Sequence, residues 1–514
     1  SDIWGFKDDD GEEYAILGTD TGVSFINITD PVNPFQVKFI SGPSSAWRDV
    51  KVYTDGIGNK YAYLVSEGSG QVQIADLSGL PDSVSLAGTF SSILSQIHNV
   101  YIDVPSKRLF LCNIRPWDST SLDSTQAGLV MLDITNPLNP VQFPNGVYND
   151  FRVHDIYVKN NLLFAGSVEH PDANPLGRVE IFDISGNTFN KLTTHTYFAG
   201  LAHSVWLTED GNYMVTMAEQ QDKNAKFWDI RDINNIPSTP EDEFRKGSAI
   251  VHNAFIKGNF CYISHYSAGL VVLDISDINN VIEVGYYDTY PTDNTSLAYG
   301  AWGVFPYLPS CNIIISDMQT GLHVVTFPQD LVLLNDTIAS GDEKGFVAKN
   351  TITATNFTVE SGARSKLVAK DEVVLGGESV IEGEFIMTTE DPCAQSNFQS
   401  QRIGRGNTSN KKEENSAFMD EVNKMINGNY LSANYPNPFV QSTTIVYSLK
   451  QSGPAALSVY NVFGKKISEL VKSGNHAKGI HHVKFEAAEL PEGVYFYTLR
   501  AGDYIETKKM SIIK

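Results

Sequence analysis

The sequence predicts an all-β chain with several domains, and three observations support this prediction. Its 514 residues exceed the size at which one hydrophobic core stops growing, so the chain must divide or repeat. Its 40 Gly, 22 Pro, 23 Tyr and 27 Phe residues are typical of a turn-rich, aromatic β protein. Short apolar runs separated by turns recur at regular intervals through about residue 327.

A repeated phrase organises the first 327 residues: a small residue, an apolar stretch, and then Asp-Ile/Leu-Ser/Thr or a close variant. Its seven copies lie 44 to 58 residues apart and begin at Gly22, Gly70, Gly128, Gly177, Ala225, Gly269 and Gly321. Two strand-like runs precede each copy and a fourth follows most of them, so each unit reads as a four-stranded antiparallel meander. Such units are typical of a β-propeller, and seven of them predict seven blades over residues 1–332.

The phrase resembles the LVIVD repeat, and the wider run resembles the propeller of the choice-of-anchor B family of bacterial secreted proteins. The resemblance covers about Ser1 to Phe327. Its most specific stretches are Asp2–Gly5, Trp47–Val52, His203–Gly211, His252–Asn259 and Gly300–Tyr307. It implies the propeller fold and no activity that could be carried over to this chain.

Closure of the ring leaves two alternatives. Blade one opens directly on its inner strand at Ile3, and the third strand of blade seven ends at Phe327. The outermost strand of blade seven must then come from Asp330–Asn335 or from residues upstream of Ser1. The resemblance favours the upstream donor, because the N-terminus closes the ring in relatives of this type.

The repeat register places polar and aromatic side chains on one rim of the central channel. The predicted first residues of the seven inner strands are Trp4, Trp47, His98, His154, His203, His252 and Trp302. The ends of the second strands, on the same rim, carry Glu67, Glu169, Glu219, His265 and Asp317, and Asp49 and Asp155 lie beside the ring positions. One rim of the channel should therefore gather imidazoles, carboxylates and aromatic rings.

Two interpretations of this rim remain open. Neutral imidazole binds zinc, copper, nickel or iron, and carboxylates complete such sites or orient the imidazoles. A divalent metal ion or a polar ligand is therefore one alternative, although the sequence names no cofactor. Hydrogen bonds from each rim residue to the backbone of a neighbouring blade are the other. We expect Trp4, Trp47 and Trp302 to pack in the channel wall rather than to form a carbohydrate platform.

Charge and cysteine patterns exclude several classes of protein. The net charge is −22; residues 433–514 contain 10 Lys and Arg against 6 Asp and Glu, or +4, and 393–432 carry +1, so the first 392 residues carry −27. Nucleic acid is therefore an improbable partner, and no apolar run is long enough to span a membrane. Four widely spread cysteines predict no disulfide framework, with Cys261 and Cys311 as buried thiols on adjacent blades. We found no nucleophile, phosphate-binding or dinucleotide-binding motif.

The segment after the propeller changes in character. Short β runs broken by Gly and Asn between residues 333 and 392 predict a small β-solenoid that acts as a spacer. Residues 393–432 are dominated by Ser, Asn, Gln, Lys and Glu, which predicts a flexible linker. Residues 433–514 alternate apolar residues with Gly and Pro turns and predict a sandwich of about seven strands.

The last segment also carries the most specific motifs of the chain. Asn434-Tyr435-Pro436-Asn437-Pro438-Phe439, the turn glycines Gly464 and Gly493, and the terminal Lys508 and Lys509 closely resemble the type A sorting domain of type IX secretion. The resemblance implies recognition by the type IX translocon, cleavage of the domain, and release or anchoring at the outer membrane. We therefore expect a secreted or cell-surface protein whose signal peptide has been removed. In such bacteria Asp-Ser/Thr motifs are O-glycosylated, and Ser83, Ser119, Ser124 and Thr337 fit that pattern.

Three functions fit these observations. The first is a surface-displayed propeller that binds a protein or glycan partner through one face, since rigid rings with variable loops suit recognition. The second is a metal-dependent hydrolase or lyase that uses the four rim histidines, with Glu67 or Glu219 as general base. The third is a structural role in an extracellular assembly, which predicts no special rim chemistry. The sequence favours binding over catalysis.

Overall fold

Strands account for all the regular structure that we can describe. The computed structural model describes residues 1–114, 128–168, 177–197, 202–291, 299–394, 428–432, 434, 437, 439, 441–487 and 490–513. Within these residues it contains 43 β-strands, and no helix in them has the length and apolarity needed to cross a membrane. The chain divides into two compact units, residues 1–402 and 403–514.

The first unit begins with seven antiparallel sheets, six of four strands and one of three. The first three are β1 (Ile3–Lys7), β2 (Glu13–Thr19), β3 (Gly22–Asn27) and β4 (Phe35–Ser41); β5 (Arg48–Thr54), β6 (Lys60–Ser66), β7 (Ser69–Asp76) and β8 (Ser85–Ser91); and β9 (Asn99–Asp103), β10 (Arg108–Cys112), β11 (Leu129–Asp133) and β12 (Val141–Tyr148). The fourth to seventh are β13 (Arg152–Lys159), β14 (Leu162–Val168), β15 (Gly177–Asp183) and β16 (Asn190–Tyr197); β17 (Ser204–Leu207), β18 (Tyr213–Met217), β19 (Ala225–Asp229) and β20 (Asp242–Phe244); β21 (Asn253–Lys257), β22 (Phe260–Ser264), β23 (Leu270–Asp274) and β24 (Ile282–Tyr287); and β25 (Ala301–Phe305), β26 (Ile313–Asp317) and β27 (Gly321–Val325). The predicted seven-bladed propeller is therefore confirmed.

The inner strands close the ring. Each contacts the inner strand of the next blade, and β25 contacts β1. Glu13 of blade one joins the two ends as well, because its carboxylate accepts hydrogen bonds from the backbone N–H and the hydroxyl of Ser310 in blade seven at 2.8 and 2.5 Å.

The repeated phrase has a local structural reason. Its aspartate is the last residue of the third strand and accepts a hydrogen bond from the backbone N–H two residues later, an Asx turn that ends the strand. This bond joins Asp76 to Ser78, Asp133 to Thr135, Asp183 to Ser185, Asp229 to Arg231 and Asp274 to Ser276. The apolar residue between the two is buried in every case, at Leu77, Ile134, Ile184, Ile230 and Ile275. The phrase therefore both ends a strand and anchors the turn in the core.

Blade seven does not take its outermost strand from the segment that follows it, which was one of the two predicted ways to close the ring. Its sheet has three strands within the described residues, and Asp330–Leu334, one of the two predicted donors, does not pair with it. That segment pairs in parallel with residues 351–355 in the next part of the chain. Its apolar residues pack in the core of the solenoid described below, so the prediction that this segment supplies the outermost strand of blade seven was wrong.

Three parallel coils follow the propeller and form the predicted solenoid. The first coil is β28 (Asp330–Leu334), β29 (Thr337–Ile338) and β30 (Glu343–Ala348), the second is β31 (Thr351–Thr355), β32 (Thr358–Val359) and β33 (Arg364–Ala369), and the third is β34 (Glu372–Gly376), β35 (Val380–Ile381) and β36 (Glu384–Thr389). Equivalent strands stack in register, so that Asp330 pairs with Thr351 and Thr351 with Glu372. The buried side chains inside the coils include Ile338, Ile352, Phe357, Val359 and Leu367.

The solenoid packs against blade six and is tied to blade seven. Lys366 forms a buried ion pair with Asp274 at 2.8 Å, and its neighbour Arg364 donates to the carbonyl of Asn280 at 2.6 Å. A disulfide joins Cys311 to Cys393, while Cys112 and Cys261 are buried free thiols. The prediction of Cys311 as a buried thiol was therefore wrong, because Cys311 lies in the turn before β26 and reaches the end of the solenoid, 82 residues away.

The second unit is a sandwich of two sheets with seven strands. One sheet pairs β37 (Tyr430–Leu431), β38 (Ser442–Leu449) and β41 (Gly479–Glu486), and the other pairs β40 (Lys466–His476), β39 (Gly453–Asn461), β42 (Gly493–Ala501) and β43 (Tyr504–Ile512). A core that includes Ile445, Leu457, Tyr497 and Met510 lies between them. Solenoid and sandwich begin three residues before their predicted starts at 333 and 433, and most of the predicted linker lies outside the described residues. The domain limits stay predictions.

Candidate functional site

Three layers of side chains line the central channel, and a shared hydrogen bond fixes their register. Asp2, Asp49 and Asp155 each accept a hydrogen bond from the backbone N–H of the next residue, at 2.7 to 2.8 Å. Aligned on them, the polar layer is Asp2, Asp49, Asn99, Asp155, Ser204, Asn253 and Gly303. The rim layer is the residue before each, namely Ser1, Arg48, His98, His154, His203, His252 and Trp302. The aromatic layer, two residues after each, is Trp4, Lys51, Tyr101, Tyr157, Trp206, Phe255 and Phe305.

The four predicted histidines lie side by side on this rim. The ring centroids of His98 and His154 are 4.1 Å apart, those of His154 and His203 are 3.8 Å apart, and those of His203 and His252 are 4.3 Å apart. All four side chains are at least 92% buried. The register of successive blades therefore brings together residues that are about fifty positions apart in the sequence.

Hydrogen bonds at the two ends of this row fix which nitrogens carry protons. His98 Nδ1 lies 2.6 Å from Glu67 Oε1 and its Nε2 lies 2.8 Å from His154 Nε2. A carboxylate only accepts, so His98 Nδ1 donates to Glu67; with one proton on the His98 ring, its Nε2 then accepts from the Nε2–H of His154. His252 Nδ1 donates to the carbonyl of Trp302 at 2.5 Å. His154 Nδ1 and His252 Nε2 are left as lone pairs without a hydrogen-bond partner, and His203 Nδ1 also has no partner among the described residues.

Glu219 faces the middle of the row. Its Oε2 lies 3.4 Å from His203 Nε2, and its Oε1 lies 3.9 Å from His252 Nε2 and accepts a hydrogen bond from the hydroxyl of Tyr266. One ligand atom from each of His154, His203 and Glu219 lies within 4.8 Å of the others. Two imidazoles and a carboxylate at these separations are close enough to share one ion after small side-chain rotations.

Burial favours the neutral form of three of the rim histidines. Burial, reinforced by the neighbouring imidazoles, lowers the pKa of His154 and His203 well below the ordinary value, and burial does the same for His252. Burial raises the pKa of Glu219, although the hydrogen bond from Tyr266 opposes that shift. Neutral imidazole is the form that binds a metal ion.

Carboxylates and one ammonium group occupy the channel below the rim. Lys51 Nζ lies 2.6 Å from Asp49 Oδ1 and 4.8 Å from the centre of the Trp4 ring. Burial raises the pKa of Asp2 to about 6 and that of Asp155 to about 7, whereas the charges of Asp49 and Asp2 outweigh burial and raise the pKa of Lys51. Asp155, predicted as a rim ligand, thus belongs to this lower layer. Blade seven has Gly303 here, and a Cβ at that position would meet Asp2 Oδ1 at 2.0 Å.

The aromatic layer closes the channel. Trp206 packs against Tyr157 and Phe255 with ring centroids 4.7 and 4.5 Å apart, and Trp4 packs against Phe305 at 4.8 Å. Trp4 therefore lies three residues deeper in the channel than predicted, because Asp2, and not the aromatic ring, is the residue that aligns this strand with the inner strands of the other blades. This outcome agrees with the expectation that Trp4 packs in the wall, while its place in the rim was wrong.

The remaining predicted rim residues divide into two groups. Trp47 precedes Arg48 by one residue and lines the mouth with a 38% exposed side chain, and Trp302 lines it beside His252, with ring centroids 4.6 Å apart. His265 instead accepts a hydrogen bond from the backbone N–H of Lys246, and Asp317 accepts from the hydroxyl of Thr289. These hydrogen bonds tie His265 and Asp317 to neighbouring loops, and neither is among the described residues that line the mouth cavity, so their role at the rim stays a prediction. Glu169 lies outside the described residues.

Two functional residues escaped the sequence analysis. Tyr266 follows the predicted His265 and reaches the mouth because its φ of 31° turns the chain there. Lys51 was not among the predicted channel residues, although it occupies an aromatic-layer position. The signal for Tyr266 was its position two residues beyond the end of β22, because Glu219 lies two residues beyond the end of β18.

The mouth encloses a cavity of about 20 Å³ lined by the four histidines, Trp47, Arg48, Asn99 and Trp302 among others. This volume accommodates one water-sized guest. The site can therefore hold one ion or water, and anything larger must lie above the rim.

The sorting motif is part of the sandwich. Asn437 Oδ1 accepts a hydrogen bond from the backbone N–H of Ser511 at 2.8 Å, and Phe439 is 2% exposed and pairs with the last strand. Asn434 is buried and donates to Thr443 at 3.0 Å. Gly464 and Gly493 have φ of 74° and 142°, Lys508 Nζ lies 3.5 Å from Glu506, and Lys509 pairs with Phe496. Tyr435, Pro436 and Pro438 lie outside the described residues.

The predicted glycosylation positions are only partly described. Ser83 and Thr337 are exposed, and Ser119 and Ser124 lie outside the described residues. Modification of all four stays a prediction.

Comparison with known families supports the predicted architecture. Residues 433–514 match the family model "Secretion system C-terminal sorting domain", and residues 250–289 match the "LVIVD repeat" model. These matches confirm the resemblance to LVIVD propellers and to the sorting domain of type IX secretion. The protein is therefore a secreted or cell-surface protein that interacts with the type IX secretion machinery.

No curated protein matches the chain. Among solved structures, the chain is similar to a candidate 6-phosphogluconolactonase from Bacteroides uniformis, with 12% identity, a TM-score of 0.43, and coverage of 62% of this chain and 87% of that chain. It is also similar to the Cps50 (Swd1) β-propeller domain of Myceliophteria thermophila, with 13% identity, a TM-score of 0.41, and coverage of 63% and 94%. Similarity at this level identifies no activity.

Proposed function

We propose that this secreted β-propeller is a recognition protein that binds an extracellular protein or glycan through the face that contains the channel mouth. The observation that carries the proposal is the contrast between that mouth and the channel below it. The mouth presents the half-exposed Trp47, the ring of Trp302 and buried nitrogens without hydrogen-bond partners. Buried polar groups without partners are costly, so their persistence suggests a ligand that satisfies them.

Binding is better supported than catalysis by the size of the mouth. A cavity of about 20 Å³ above a closed aromatic layer leaves no room for a substrate beside the imidazoles. A hydrolase or lyase would need its substrate to lie entirely above the rim. The dyad of Glu67 and His98 is also engaged with His154, which leaves His98 without a free nitrogen for proton transfer.

The recognition proposal can be tested with the full chain immobilised on a surface and probed with a glycan array and with labelled extracellular polysaccharide. We expect Trp47→Ala combined with Trp302→Ala to weaken the binding of any positive probe at least tenfold, because both aromatic rings line the mouth. Phe463→Ala is the matched control, since Phe463 is a 90% exposed aromatic residue of the other unit. Binding that is equal in the two variants would place the recognition surface elsewhere, and failure of all probes would refute the glycan alternative.

We also propose that the sorting domain is removed at export and that the propeller is then released or anchored at the outer membrane. The match of residues 433–514 to the sorting family supports this step. Mass spectrometry of the native product should show a chain that ends before the sandwich. An intact Lys514 terminus on the exported protein would contradict the proposal.

A further inference from the structure

We infer that the channel mouth holds one divalent transition-metal ion, bound by His154, His203 and Glu219, with His252 as the adjoining fourth ligand. The inference rests on the proposed function for the location of the site, which is the channel mouth, and it names the ligand that is bound there. It depends on three features of the described residues: nitrogens prepared as lone pairs, a carboxylate held by a second residue, and a cavity of the size of an ion.

The first feature is the proton arrangement along the row of imidazoles. With one proton on the His98 ring, the Glu67 carboxylate holds that proton on Nδ1, so His98 Nε2 accepts the Nε2 proton of His154 and His154 Nδ1 remains a lone pair. At the other end the carbonyl of Trp302 fixes the proton of His252 on Nδ1 and leaves its Nε2 bare. Metal-bound histidines in proteins are commonly oriented in this way, by a carboxylate or carbonyl on the other ring nitrogen.

These lone pairs are buried and accept no hydrogen bond. His154 is 7% exposed and His252 is 1% exposed, and neither His154 Nδ1 nor His252 Nε2 has a hydrogen-bond partner. An unsatisfied buried acceptor costs about 1–3 kcal/mol. Coordination of a cation would satisfy both nitrogens at once.

The second feature is the support of Glu219. Tyr266 donates its hydroxyl proton to Oε1, which leaves Oε2 directed at His203 Nε2, 3.4 Å away. Tyr266 holds this position with a φ of 31°, a left-handed conformation that a tyrosine rarely adopts. The chain therefore accepts backbone strain in the turn that positions the carboxylate.

The ligand types select the class of metal. Two or three neutral imidazoles and one carboxylate suit Zn²⁺, Cu²⁺, Ni²⁺ or Fe²⁺, whereas Ca²⁺ and Mg²⁺ prefer oxygen ligands throughout. No thiolate competes, because the described free thiols Cys112 and Cys261 are buried in strands. The cavity of about 20 Å³ accommodates one ion or one water molecule.

The test uses the full chain, stripped with a chelator and titrated with Zn²⁺ and, in separate experiments, Co²⁺ and Ca²⁺. We expect one Zn²⁺ per chain, a Co²⁺ absorption spectrum typical of nitrogen and oxygen ligands, and no Ca²⁺ uptake. His154→Ala, His203→Ala and Glu219→Gln should each weaken Zn²⁺ binding at least 100-fold. Glu67→Gln should weaken it 10- to 100-fold, because it removes the group that orients His98 and, through it, His154.

The structure also supplies a matched control. His476 and His481 of the sandwich lie on the surface with ring centroids 6.4 Å apart and could bind Zn²⁺ adventitiously. His481→Ala should leave the stoichiometry and affinity unchanged. Uptake that disappears in His481→Ala but persists in His154→Ala would overturn the inference.

A second measurement keeps the test independent of variants that fold poorly. Electron paramagnetic resonance of the wild-type chain loaded with one Cu²⁺ should show hyperfine coupling to at least two nitrogens. Absence of stoichiometric uptake of all the transition metals would mean that a water molecule occupies the cavity, and would refute the inference. Partner binding by a chain that takes up no transition metal would refute the metal without refuting recognition, whereas metal binding without any partner would do the reverse.

Discussion

Two layers of the same channel lie three residues apart on the same strands, and both are buried. One of them packs its buried side chains fully, whereas the other leaves buried polar atoms without partners. The rim layer places His98, His154, His203 and His252 in contact and leaves ring nitrogens without hydrogen bonds. The aromatic layer fills the channel with interlocking rings, among them Tyr157, Trp206 and Phe255, whose centroids are 4.5 to 4.7 Å apart. One layer therefore uses its buried surface for packing, whereas the other leaves nitrogen lone pairs open to a ligand.

The comparison teaches where to look for function in a ring of equal blades. Every blade contributes one residue to each layer, so the symmetry of the ring does not show which blades form a functional site. The rim histidines come from four successive blades, whereas blades one, two and seven contribute Ser1, Arg48 and Trp302. The imidazoles are thus gathered on one side of the rim, so a ligand of these imidazoles would lie on that side of the mouth.

The largest expected effect comes from the aromatic layer. Trp206→Ala should lower the free energy of unfolding by about 3–5 kcal/mol, because it leaves a cavity between two neighbouring rings. His203→Ala, on the same strand, should cost less than about 1.5 kcal/mol in metal-free protein. Denaturant unfolding followed by tryptophan fluorescence measures both, since all six tryptophans lie within residues 4–302. Equal losses in the two variants would remove the distinction between the layers.

Removal of the Lys51 ammonium group from below the rim should have the next largest effect. Lys51→Met leaves the buried Asp49 without its ammonium partner, and a broken buried ion pair costs about 3 kcal/mol or more. The double variant Lys51→Met, Asp49→Asn should recover most of the loss in the same unfolding experiment. If the double variant is no more stable than Lys51→Met, Lys51 acts through its packing on Trp4 rather than through charge.

The blades, the solenoid and the sorting sandwich could be predicted from the sequence because each repeats a short pattern of apolar residues and turns. The four histidines followed from the same register. The places of Trp4 and Trp47 did not, because loops of different length separate the strands and a slip of one to three residues moves a side chain to another layer. The Asp2, Asp49 and Asp155 alignment would have corrected it.

Other features depend on three-dimensional contacts that no spacing records. Cys311 pairs with Cys393 only because the solenoid folds back on the propeller. Tyr266 reaches Glu219 only because a tight turn reverses its direction. Sequence periodicity specifies neighbours along and between strands, whereas these contacts are made by loops.

The polar layer between the other two should respond to pH. Burial raises the pKa of Asp2 to about 6, so the folded protein retains a proton that the unfolded chain releases near pH 4. The stability that this proton contributes is present below about pH 4 and is lost as the pH rises through 6. Between pH 4 and 7 the wild type should therefore lose about 2 kcal/mol relative to Asp2→Asn. Parallel pH profiles of the two proteins would show that Asp2 is ionised throughout.

The smallest effect on stability, and the sharpest test of the comparison, is expected at the centre of the rim. His154→Leu removes a buried nitrogen that has no partner, which stabilises the fold, but it also leaves the acceptor nitrogen of His98 without its donor, which destabilises it. These two effects on the free energy of unfolding nearly cancel. The free energy of unfolding of metal-free protein should change by less than about 1 kcal/mol. The same variant should abolish the Zn²⁺-dependent increase in stability that the wild type gains by mass action. A loss of about 3 kcal/mol or more without metal would instead make His154 a packing residue like Trp206. The rim would then be a polar version of the aromatic layer, and its unsatisfied nitrogens would no longer indicate a ligand.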